Sequence, residues 1–125
     1  MAIDLCRNIT AADRQFRSGT EGWGLAGNHG VFRFGGASLG IIGFGDLGRQ
    51  FRELARPFRN TVRVFDPWLP DQIIERADCI PSDLDTIFRE SRVVFVFASV
   101  TSENEGFINK HHFDLMRPGS IFLLM

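Results

Sequence analysis

Leu5, Ile9, Ala12 and Phe16 recur at spacings of four, three and four. That is one stripe of an amphipathic helix, and it predicts a single helix over residues 3–17. Gly19, Gly22, Gly24, Gly27 and Gly30 follow within thirteen positions, which predicts a loop. No helix start follows these glycines, so they do not read as a phosphate cradle. Residues 31–34 alternate briefly before Gly35 and Gly36 break the pattern.

From Ser38 onward the pattern changes, and short apolar runs alternate with helical stretches. Residues 39–44 predict a buried strand. Leu47, Phe51, Leu54, Ala55 and Phe58 then mark one side of a helix. Residues 61–65 are a β-rich run closed by Asp66 and Pro67. A short helix over 71–77 and a very short strand at 79–80 come next. Ser82 and Asp85 form an S-x-x-D capping pattern that opens a helix to about Glu90. Residues 93–98 are apolar on both faces, as a central parallel strand should be. Asn109 caps a helix through Met116, which Pro118 and Gly119 end, and residues 121–125 begin another buried strand. Strands separated by helices of about ten residues imply βαβ units, right-handed crossovers and a doubly wound parallel α/β sheet. The expected organisation is an N-terminal helix and Gly-rich arm over residues 1–34, then an α/β domain over 35–125.

Composition narrows the function classes. With 125 residues, 44% apolar and 23% charged, the chain is the size of one globular domain. Its longest apolar run, residues 93–98, is too short to span a membrane. Asp4 and Arg7 interrupt the first apolar stretch, which argues against a signal peptide. A net charge of −1 offers no electrostatic case for nucleic acid or an acidic membrane. Cys6 and Cys79 lie far apart and read as two reduced thiols, hence a cytoplasmic protein. Thirteen of the fourteen basic residues are Arg.

Candidate chemistry lies in Gly43-Phe44-Gly45-Asp46-Leu47-Gly48, a G-x-G-x-x-G string with a strand before it and a helix after it. Gly43 lets the chain turn out of the strand. Gly45 lets a pyrophosphate approach the backbone, and Gly48 lets the helix pack closely on the sheet. The amides of Asp46 and Leu47 lie at the helix N-terminus, where the dipole favours an anion. The Asp46 side chain, an awkward neighbour for phosphate, should point to solvent. Asp66 ends the next strand, 23 residues after Gly43. A carboxylate there can accept both adenosine ribose hydroxyls and repel a 2′-phosphate, so NAD is expected over NADP. Asp66 can also simply cap the turn before Pro67. Arg49, Arg52, Arg56 and Arg59 follow 3-4-3 spacing and read as a solvated helix face, with a subunit contact as another use. His111 and His112, adjacent on a helix, diverge too far to chelate a metal together. Nothing near Cys79 in sequence would lower its pKa for nucleophilic work.

Several ordered motifs, GIIGFGDLGRQF, VFDPWLP, SDLDTIF, VVFVFASVTSENEGFIN and FDLMRPGSIF, resemble the cofactor domain of the D-isomer-specific 2-hydroxyacid dehydrogenases. The resemblance covers residues 35–125 well and the first helix and arm more loosely. It implies a Rossmann-type sheet of about five strands, incomplete at its end. It also implies NAD as cofactor, with hydride passing between NAD and a 2-hydroxy acid. It places Gly43, Gly45, Asp46, Leu47 and Gly48 at the pyrophosphate and Asp66 at the ribose. Ala98 and Ser99 fall along the adenosine side, and Asn104 falls where the family places a polar side chain near the cofactor. Phe97, Ser99 and Leu124 stand where the family commonly has His, Pro and Asn.

The family's catalytic Arg, Glu and His fall beyond Met125. The resemblance therefore implies part of a longer protein, inactive as this chain, with no catalytic residue to assign. A 2-hydroxy or 2-keto acid would be a partner only of the longer protein. Two alternatives remain open: a non-catalytic NAD-sensing or dimerisation module of the same superfamily, and an S-adenosylmethionine-binding methyltransferase domain. A homodimer is expected in either NAD-binding reading.

Overall fold

The stripe over residues 3–17 does not fold as one helix. The computed structural model, which describes residues 1–99, 101 and 104–125, places α1 at Ala2–Arg7 and α2 at Ile9–Ser18. Asn8 between them takes the left-handed conformation, with φ 56°. Asparagine tolerates that region because its short polar side chain relieves the steric cost. The Asp4 carboxylate reinforces the break by accepting from the backbone N–H and hydroxyl of Thr10, both at 2.8 Å. The two bonds hold its pKa below the usual carboxylate value, the hydroxyl contributing most. Leu5, Ile9 and Phe16 stay 47%, 53% and 64% exposed, so the stripe is not a buried face. The Gly-rich stretch is not wholly loop either, since α3 occupies Gly24–Gly27. Met1–Phe34 forms one compact unit and Gly35–Met125 a second.

The second unit is an α/β sheet of five strands: β1 (Ser38–Ile42), β2 (Thr61–Phe65), β3 (Ile80–Pro81), β4 (Val93–Val96) and β5 (Ile121–Leu124). All pair in parallel, in the order β3-β2-β1-β4-β5. The strands predicted over 39–44 and 93–98 end early, at Ile42 and Val96, because the chain bends there into the loops that carry the site. Every residue of β4 is buried, as a strand covered on both faces requires. Its register against β1, Gly40 opposite Val94 and Ile42 opposite Val96, sorts the side chains by face. Ile42, Val94 and Val96 meet Ile87 and Phe88 of α6 (Leu84–Glu90), which follows α4 (Asp46–Ala55) and α5 (Asp71–Glu75) along the chain. On the other face the Phe51 ring of α4 lies 4.3 Å from that of Phe95, centroid to centroid. Helices on both faces make the sheet doubly wound, as expected. None of the helices described is long and apolar enough to cross a membrane.

Gly40 is a packing requirement: a Cβ there would meet Ile87 Cγ2 at 2.6 Å and Ser91 Oγ at 2.7 Å. The cap of α6 is Asp83 rather than Ser82. Its carboxylate accepts from Thr86 N–H at 2.7 Å, a bond that lowers the Asp83 pKa. Ser82 instead donates to the Ile80 carbonyl. Asn109 caps α7 (Lys110–Leu115) as predicted, accepting from His111 N–H at 3.0 Å. The Asn109 N–H donates in return to His112 Nδ1.

The face of α4 differs from the predicted stripe. Leu47 and Leu54 are exposed, whereas Gly48, Arg52 and Ala55 are buried. Arg52 donates through Nε to the Ala77 carbonyl at 3.1 Å and through Nη2 to the Asp78 carbonyl at 3.2 Å. Arg56 pairs with Glu53 and Asp78. Arg49, Arg56 and Arg59 are exposed, as the solvated face expects, whereas Arg52 is buried. Arg52 and Arg56 reach the turn that leads into β3. Beside that turn, burial pushes the Cys79 thiol pKa up, so the structure gives no activated nucleophile there.

Replacing Arg52 with Ala should leave two carbonyls of the 77–78 turn without their donor. The expected loss is about 1–3 kcal/mol of unfolding free energy, read by urea denaturation. A variant as stable as the parent would contradict the structural role assigned to this side chain.

Candidate functional site

Three strands deliver their C-terminal ends to one cavity of about 440 Å³. β1 contributes Gly43 and Gly45 just past its end, β2 contributes Asp66 and Trp68, and the segment after β4 contributes Ala98 and Ser99. This is the crevice where a parallel sheet reverses its winding, the usual location of a ligand in such folds.

The glycines of the first turn serve three different ends. Gly43 has φ +87°, and a Cβ on it would lie 2.5 Å from the backbone nitrogen of Ala98. A Cβ on Gly48 would lie 2.6 Å from the Gly43 carbonyl oxygen. Both are demanded by the fold. Gly45 is not: a Cβ there meets nothing within 4 Å, and its φ of −68° suits any residue. The space beside it opens toward the cavity it lines.

α4 begins immediately after Gly45, which as N-cap offers no side-chain acceptor. The first-turn N–H groups of a helix have no intrahelical acceptor. Those of Asp46 and Leu47 find none elsewhere among the described residues. Open donors, a positive helix end and free space beside Gly45 make a place that can receive an anion. The Asp46 side chain is exposed, as expected.

Asp66 makes the turn cap and a second bond besides. Oδ1 accepts from Trp68 N–H at 3.0 Å, which is the turn cap. Oδ2 accepts from Phe44 N–H at 2.8 Å and so fastens the glycine loop to the end of β2. Each oxygen keeps a second lone pair, and Asp66 lines the cavity. Asn104 lines the cavity but is occupied within its own loop. Its Nδ2 donates to the Ser99 carbonyl at 2.6 Å, and its Oδ1 accepts from Thr101 N–H at 2.8 Å. Val100, Ser102 and Glu103, within the motif that suggested Asn104, lie outside the described residues.

Sequence reasoning missed the apolar walls. Phe65, Leu84, Phe97 and Phe107 line the cavity, with Trp68 at its rim. Leu84 and Phe107 come from distant parts of the chain, and only the fold brings them here. Trp68, two residues after the acid, carried a readable signal as an aromatic beside a strand-end carboxylate. No Arg, Lys or His lines the cavity among the described residues. His111 and His112 sit elsewhere, on α7, both directed at Asp85 of α6. The helical divergence predicted for them is offset by that shared partner. Even so, no group of three or more metal-ligating side chains capable of holding an ion occurs among the described residues.

Comparison with known proteins follows the same lines. The family model described as D-isomer specific 2-hydroxyacid dehydrogenase, NAD binding domain, matches residues 1–125. The chain is 29% identical over 121 residues to a D-3-phosphoglycerate dehydrogenase of Archaeoglobus fulgidus, covering 97% of this chain and 22% of that protein. Its fold matches a phosphoglycerate oxidoreductase from Rhizobium etli with a TM-score of 0.89 and 39% identity, over 98% of this chain and 38% of that one. An NAD-dependent formate dehydrogenase from Staphylococcus aureus, solved in complex with NAD, gives a TM-score of 0.84 at 25% identity, over 99% of this chain and 37% of that one. The chain thus spans well under half the length of these relatives. The family match removes the methyltransferase alternative.

The glycines separate fold from ligand in a testable way. Gly43→Ala should destabilise the domain by about 1–3 kcal/mol, from strain and overlap with Ala98. Gly45→Val should keep stability within about 0.5 kcal/mol, as open surface sites do. Its NAD affinity should fall roughly tenfold or more, the equivalent of one charge-assisted hydrogen bond. Thermal unfolding and calorimetric titration read the two effects. Normal NAD binding by Gly45→Val would displace the anion from the α4 terminus.

Proposed function

This chain belongs to the D-isomer specific 2-hydroxyacid dehydrogenases, as their NAD-binding domain, and we propose that its cavity holds the adenosine diphosphate half of NAD. One observation carries the reading. Two helix amides without an acceptor among the described residues, at Asp46 and Leu47, follow directly on Gly45, which lines the same cavity as a strand-end carboxylate, Asp66. The pyrophosphate lies against Gly45 and accepts from those amides. Asp66 accepts from the ribose hydroxyls with the lone pairs that Phe44 and Trp68 leave open. Gly43 and Gly48 shape the turn that presents the amides. Phe65, Leu84 and Phe107 supply apolar walls for the adenine, and Ala98 and Ser99 run along the adenosine. Asn104 acts one step removed, by holding the loop that contains Ser99.

When bound, NAD would supply hydride transfer to or from the α-carbon of a 2-hydroxy acid, the substrate class in the family's name. This chain's own residues bind and orient the dinucleotide and shield its adenine from water. With no His or Arg on the cavity wall among the described residues, they supply neither the proton carrier nor the carboxylate clamp that the reaction needs. The chain alone should give no NADH oxidation with a panel of 2-keto acids, a deficit of ~10²–10⁴-fold from the missing proton transfer alone. Two buried reduced cysteines, Cys6 and Cys79, suit a cytoplasmic setting. The exposed apolar residues Leu47 and Leu54 on α4 suit a homodimer contact.

Titrating NAD and NADP into one preparation by calorimetry tests the assignment. NAD should bind more tightly, because the Asp66 carboxylate repels a 2′-phosphate. Asp66→Ala should weaken NAD by about 1–3 kcal/mol and narrow the gap between the two dinucleotides. Equal or tighter NADP binding by the parent chain would refute the role given to Asp66.

A further inference from the structure

We propose that the Asp46 side chain is an electrostatic brake on dinucleotide binding, a residue that sets affinity for the pyrophosphate low by charge repulsion. The inference rests on the reading of the cavity as an NAD site and goes beyond it. Asp46 is the first residue of α4, adjacent to Gly45 and at the helix end where the pyrophosphate is placed. Its backbone N–H attracts that anion while its carboxylate repels it.

Three observations make the repulsion effective. First, the Asp46 carboxylate is exposed and has no hydrogen bond or ion pair among the described residues, so no cation neutralises it. Second, the basic side chain nearest in sequence, Arg49, makes no ion pair with it and donates instead through Nε to the Phe44 carbonyl of the same turn at 3.0 Å. Third, no Arg or Lys lines the cavity among the described residues, and Asp66, bonded to Phe44 N–H, adds a second negative charge to its wall. A diphosphate entering this site is met by helix amides and by uncompensated carboxylates. In the free protein the same carboxylate is favourable, since an acid in the first turn complements the helix dipole. The sequence thus stabilises α4 when no ligand is present and weakens the bound state, a combination that favours release of dinucleotide.

The test compares the parent chain with Asp46→Asn, using adenosine, AMP and NAD as probes in calorimetric titrations at low and high salt. Asp46→Asn removes the charge and keeps the size. NAD affinity should rise roughly three- to thirty-fold at low ionic strength, the range expected for one unit of charge acting on a diphosphate a few ångströms away near a surface. The gain should shrink as salt is added. Adenosine, which carries no phosphate, should bind both proteins equally, and AMP should fall between. Unchanged or weaker NAD binding by Asp46→Asn, with the parent chain binding NAD, would overturn the brake and leave the NAD site standing. A gain that adenosine shares equally would also overturn it, since charge would not be the cause. Failure of the parent chain to bind either adenosine or NAD would instead remove the site itself, and the brake with it.

Discussion

The contact on which the site depends is backbone against backbone, at the turn from β1 into α4. Gly43 leaves no room for a side chain above the Ala98 nitrogen, and Gly48 leaves none above the Gly43 carbonyl. These two approaches bring α4 close to the sheet and direct its N-terminus to the ends of β1 and β4. The Asp66 carboxylate then fastens the turn from the β2 side through Phe44 N–H. Three strands and one helix are thus locked at a single point, and the cavity is the space left in front of it. Gly45 alone in the turn is unconstrained by packing, which separates what the fold needs from what a ligand needs.

The electrostatics follow from the same arrangement. Partial positive charge comes from helix amides, fixed by the backbone and independent of pH, rather than from basic side chains. None of the arginines lines the cavity among the described residues. Arg52 and Arg56 hold the 77–78 turn, and Arg92 donates to the Pro118 carbonyl. The acids nearest the cavity face a ligand without cationic partners. The arrangement suits the diol and the backbone-solvated anion of the proposed ligand, with modest attraction for charge as such.

Much of this was legible in the sequence because it is local. Strand β2 closes at Phe65, where Asp66 and Pro67 stop it, and the glycine spacing fixed the turn. The misses share one cause, side chains that are satisfied over distance. Asn8 breaks the first helix because it accepts a left-handed backbone and Asp4 bonds Thr10, neither of which alters the apolar spacing. Arg52 lies in a row that reads as solvated, yet the 77–78 turn covers it. Asp83 and Ser82 both offer helix caps by composition, and only the Thr86 amide decides between them. Leu84 joins the cavity from α6 and Phe107 from the segment before α7, and Asp85 reaches His111 and His112 across 26 and 27 residues. No periodicity carries that information.

Backbone amide chemical shifts of the full chain, followed by NMR while NAD is added, give the most direct test of the central claim. The amides of Gly45, Asp46 and Leu47 should move most, with Phe44 and Trp68 responding through the Asp66 carboxylate and α7 left unchanged. Saturable shifts that leave the 43–48 turn untouched, or centre on α7 or on residues 1–34, would contradict it.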